Sequence, residues 1–158
     1  MVRTSPYPLK NLYWQKFTVA FLTLLALAEF LSVTSVGMLR KDPQLIGLAA
    51  VSTGFIVLAL TSMNLGAGAY FASYKEKNPI RVASSQGASV TFLISMVYLT
   101  LVALVLVVYL NDYFERLIRF GAQPSSWLLF PLTGVAVLSL LCMLISTGIG
   151  LRTIQRDY

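Results

Sequence analysis

Four long apolar runs occupy most of this chain, and the charged residues fall almost wholly between them. A helix of about 20 apolar residues spans the roughly 30 Å hydrocarbon core of a bilayer. No water is present at that depth to satisfy backbone N–H and C=O groups, so each run has to close its own hydrogen bonds as an α-helix. The pattern predicts an all-α polytopic membrane protein with spans at residues 17–39, 45–71, 88–109 and 127–151. The chain is 57% hydrophobic and 11% charged. Soluble domains carry about 25% charged residues. So few charges cannot cover a water-facing surface, and the 158 residues read as a single transmembrane domain.

The net charge of +6 has a membrane explanation. Lys and Arg sit in small groups beside the ends of the apolar runs, where they set orientation and meet anionic headgroups. No long basic patch with interleaved aromatics is present, so nucleic acid is not an expected partner. Of the twelve basic residues, Arg40, Lys41, Arg116 and Arg119 lie on one side of the expected topology and eight on the other. The positive-inside rule then puts both termini and the loop holding Lys75, Lys77 and Arg81 in the cytoplasm of a cell bounded by an inner membrane.

Residues 1–16 are expected to form a juxtamembrane arm rather than a cleaved leader, with Tyr13 and Trp14 between Lys10 and Lys16 as an interfacial anchor. Span 1 is apolar except for Glu29 near its middle. A carboxylate at that depth costs about 2.5–3.5 kcal/mol on insertion scales. Ala26, Ser32 and Val36 share its face at helical spacing. Two readings follow: a group lining a substrate path or proton site, or a neutral Glu hydrogen-bonded across a helix interface. Pro43 suits the first turn of span 2.

The end of span 2 gives up its large aliphatics. Ser62 and Gly66 form one small-xxx-small pair, Gly68 and Ala72 another, and Asn64 is a candidate for hydrogen bonding across helices. The glycines suit either a bend or close static packing. After the basic loop, Asn78-Pro79 reads as a helix start. Ser84, Ser85, Gln86 and Gly87 would be the polar opening turns of span 3, most of which is expected to face lipid. Residues 112–120 read as a short interfacial helix between spans 3 and 4, with Asp112 and Glu115 in a capping-box-like pattern. Ser146 and Gly150 in span 4 make a further small-residue pair.

Catalytic chemistry has no constellation to rest on. The chain has no His and one Cys, Cys142. That excludes a His/Cys metal site, His-based catalysis and an internal disulfide, and no cofactor is expected. The carboxylates are scattered. No GxxxxGK[ST] loop occurs, so any ATP hydrolysis would belong to a partner, and the chain is not expected to be an enzyme.

One stretch resembles a known family. It runs Leu65-Gly66-Ala67-Gly68-Ala69-Tyr70-Phe71, then Tyr74-Lys75-Glu76-Lys77-Asn78-Pro79, then Ile80-Arg81-Val82-Ala83-Ser84-Ser85-Gln86-Gly87. It is similar to a segment of the permease subunits of ABC-2-type exporters, in which a Gly-rich span end, a charged run and Asn-Pro open the next span. Leu12-Tyr13-Trp14-Gln15-Lys16 resembles that family's entry to a late span. The resemblance implies the C-terminal membrane part of a permease, moving a substrate when coupled to a separate ATPase subunit or to a missing permease half. It implies a partner-contact loop of Lys75, Glu76, Lys77, Asn78, Pro79, Arg81 and Gln86. Gly66, Gly68 and Gly87 would serve as hinge or close-packing positions, with Glu29, Ser32 and Asn64 along the internal face. The alternative expectation is a non-catalytic accessory tetraspan subunit of a larger membrane complex, which the small-residue faces suit equally. A homodimeric carrier built from inverted repeats is a third reading, against which the two halves share no motif.

Overall fold

The computed structural model describes residues 9–39, 43–71, 86–120 and 129–156, all of them helical. The elements are α1 (Leu9–Leu39), α2 (Pro43–Phe71), α3 (Gln86–Phe120) and α4 (Leu129–Arg156). Each contains a stretch long and apolar enough to cross a membrane. At 1.5 Å per residue they run from roughly 42 to 52 Å, well beyond the roughly 30 Å that a bilayer core requires.

The excess is placed where the sequence lacks breakers. α1 begins at Leu9, ahead of the expected start of span 1, because no Gly or Pro interrupts the chain between there and Gly37. α2 starts at Pro43, whose missing N–H would have no intrahelical partner in a first turn. The segment 112–120, expected as a separate interfacial helix, is helical but continues α3 without a break. Gly121 is the first Gly or Pro after Gly87, so no strong helix breaker lies in between. Near its end, Glu115 and Arg119 form an exposed ion pair at 2.7 Å.

α2 is the hub. It packs most extensively on α4, then on α1, and along a narrower seam on α3. Tyr13 of α1 lies against Gly150 of α4, Gly150 against Gly66 of α2, and Phe71 of α2 against Gly87 of α3. These contacts put the start of α1, the end of α2, the start of α3 and the end of α4 together, in an up-down-up-down bundle. At the other end Leu45, Leu48, Tyr109 and Tyr113 are buried, with Val36 and Leu132 around them. Between the two, Ala59, Met63, Tyr98, Val102 and Val135 form the central core. Pro131 is fully buried in the first turn of α4, where its lost donor costs nothing.

The outer surface is apolar. Leu22, Leu27, Phe30 and Leu31 of α1 and Phe92, Leu93, Val97, Leu104 and Val108 of α3 are exposed. In water such a surface would drive aggregation; in lipid it is the solvated face. Several hydroxyls within the spans bond to their own helix, whereas those of Ser95 and Tyr109 are buried with no hydrogen-bond partner among the described residues. Ser52 donates to the Leu48 carbonyl at 2.7 Å, Thr61 to Val57 at 2.7 Å and Thr147 to Met143 at 2.7 Å.

Candidate functional site

The α2–α4 crossing is built from the small residues on both helices. Gly66 and Gly150 face each other so closely that a Cβ on Gly150 would sit 3.0 Å from the Gly66 Cα. A Cβ on Gly66 would run into the backbone carbonyl and hydroxyl of Ser146. Ser146 Oγ donates to the Ser62 carbonyl at 2.6 Å, so the Ser62/Gly66 and Ser146/Gly150 pairs form one seam with a hydrogen bond across it. Backbones approach this closely only where side chains are missing or short. Tyr13 is buried beside the seam, and its hydroxyl has no hydrogen-bond partner among the described residues.

Glu29 and Ser32 lie at the α1–α2 contact. Thr53 Oγ1 donates to Ser32 Oγ at 3.0 Å. One turn away Glu29 faces Gly54, where an added Cβ would meet Oε1 at 3.5 Å. Glu29 is half-buried, with no hydrogen-bond or ion-pair partner among the described residues. It lies in an open groove of about 450 Å³ between the two helices, lined by Phe21, Leu25, Ala50, Val51, Gly54, Phe55 and Leu58. Phe17 stacks on Phe21 at 6.0 Å and supports that wall.

The other residues singled out from the sequence do not join this groove. Asn64 is exposed and donates to the Leu60 carbonyl of its own helix at 2.8 Å. It stands ten residues beyond Gly54 on α2, roughly 15 Å along the axis. Gly68 is exposed, and a Cβ there would meet nothing within 4 Å. Gly87 is buried against the Phe71 ring, in the first turn of α3. Of the loop residues, Lys75, Glu76, Lys77, Asn78, Pro79 and Arg81 lie outside the described residues, and Gln86 opens α3. No group of three or more His, Cys, Asp or Glu that could hold a metal ion occurs among the described residues.

Sequence reasoning missed the bond between Tyr98 and Ser139, which joins α3 to α4 at 2.8 Å in the buried core. The signal was present: a hydroxyl at bilayer depth needs a partner, and Tyr98 sits in a predominantly apolar run. It also missed Gly54 and Thr53, whose role depends on which helix faces Glu29.

The chain matches the family described as "Putative ATP-binding cassette" over residues 1–157. No curated protein and no solved structure matches it.

Proposed function

The chain belongs to this ATP-binding cassette family, and on that premise we propose that it is the membrane-spanning permease part of an exporter rather than its ATP-hydrolysing part. The observation that carries the reading is the division of chemistry. All described residues are helical, each helix contains an apolar stretch of spanning length, and the sequence holds no phosphate-binding loop. The energy source is then a separate nucleotide-binding subunit on the cytoplasmic side of the inner membrane. By the positive-inside rule the termini and Lys75, Lys77 and Arg81 belong on that side, and the charge of these three residues suits contact with that subunit. In this reading the close Gly66–Gly150 contact, with the Ser146 hydroxyl beside it, is the point about which α2 and α4 move.

A tagged chain is purified from native membranes in mild detergent and the co-purifying proteins are identified. Recovery of an ATPase subunit, lost when Lys75, Lys77 and Arg81 are all changed to Glu, supports the permease reading and its loop contact. Recovery of a large complex without an ATPase overturns it and makes the chain an accessory subunit.

A further inference from the structure

Glu29 combines features that a merely structural carboxyl would not need together. It sits about two-thirds of the way along α1, and no described residue bonds to it. Its neighbour across the helix contact is Gly54, which leaves bare backbone beside the carboxyl. The groove around it is otherwise apolar and open on its outer side. It is a shallow, open groove with a volume of about 450 Å³.

The Thr53–Ser32 hydrogen bond ties α1 to α2 one turn beyond Glu29. On the other side the lining continues through Leu25 to Phe21, eight residues or roughly 12 Å along α1. Phe55 and Leu58 form the facing wall. A carboxyl within the groove and the rings of Phe21 and Phe55 to one side of it complement a cation carried on an apolar body, because aromatic rings also attract positive charge. A neutral lipid chain would leave the carboxyl unpaired in a low-dielectric setting, which is unfavourable.

We propose that this groove binds organic cations from the bilayer, with the apolar body along Leu25, Phe21, Phe55 and Leu58 and the positive charge against Glu29. As a statement about exported cargo, this rests on the permease reading. As a statement about binding, it belongs to the groove alone.

The test uses the full chain in mild detergent with tritiated tetraphenylphosphonium as probe and neutral triphenylphosphine oxide as competitor. Saturable binding is expected, weakened about tenfold or more by Glu29→Gln as a charge-assisted contact is lost. Glu29→Asp should retain most of it. Gly54→Leu, which fills the groove beside the carboxyl, should abolish it. Each variant is first checked for a wild-type elution profile on size exclusion, and Glu29→Asp shows that the position tolerates change. Absence of saturable binding overturns the proposal. So does binding unchanged by Glu29→Gln, or displacement by the neutral competitor as effective as by unlabelled cation. Cation binding in a chain that captures no ATPase overturns the permease reading only. ATPase capture without cation binding overturns this inference only.

Discussion

Adding one methyl group at Gly66 should unlatch α2 from α4. The Cβ of alanine there would lie 2.9 Å from the Ser146 carbonyl carbon. Carbon atoms rest comfortably at about 3.5–4.0 Å. The obstacle is backbone, so no rotamer change relieves it, and α4 has to withdraw by about 0.6–1.1 Å. That movement stretches the Ser146–Ser62 hydrogen bond from 2.6 Å to roughly 3.2–3.7 Å, beyond the usual range for a hydroxyl donor. Overpacking costs about 1–3 kcal/mol. A hydrogen bond between membrane helices contributes about 0.6 kcal/mol, and up to about 1.7. Alanine regains up to about 1 kcal/mol of helix propensity, so Gly66→Ala should destabilise the bundle by about 1–4 kcal/mol. Gly68 supplies the control from the same helix. Its Cβ would meet nothing within 4 Å, so Gly68→Ala should be neutral or gain up to about 1 kcal/mol from helix propensity. Unfolding in mixed micelles of mild detergent and dodecyl sulfate, followed by far-ultraviolet circular dichroism, measures both. A Gly66→Ala variant within about 0.5 kcal/mol of wild type, or a Gly68→Ala variant equally damaged, would refute the close-contact reasoning.

Two further outcomes follow from the same assay. Tyr98→Phe should cost about 0.6–1.7 kcal/mol by removing its bond to Ser139, and adding Ser139→Ala should cost little more, because the two act as one pair. Arg119→Ala should leave stability within about 0.5 kcal/mol of wild type, since its ion pair with Glu115 is exposed.

The helices were legible because lipid imposes one rule on every residue within it. Hydrophobicity marks where lipid begins, however, and not where a helix does, so Leu9–Lys16 and Asp112–Phe120 extend α1 and α3 past the apolar runs. Asp112 suits a helix start by its side chain, yet it lies inside α3, since nothing before it ends the helix. The small-residue spacing of Ser62 with Gly66 and of Ser146 with Gly150 was visible; that the two face each other was not, because a spacing carries no address. Asn64 illustrates the converse: its polarity invited a cross-helix bond, and its own helix supplied the carbonyl. Glu29 stood out by charge alone, whereas its groove depends on the packing of α1 against α2.

The hydrogen bond that clasps α2 to α4 joins residues 84 positions apart. A ribosome adding about 5–20 residues per second takes roughly 4–17 s to make that stretch. During this interval the α1–α2 hairpin has been synthesised, while the Ser62–Gly66 face of α2 has no α4 to cover it. The hub of the bundle is thus the helix that waits longest for its main partner, and its bare face is open to lipid, to the insertion machinery or to another chain. Biogenesis of this protein should accordingly be most vulnerable between the emergence of α2 and that of α4, and a pause in translation there would lengthen the exposure.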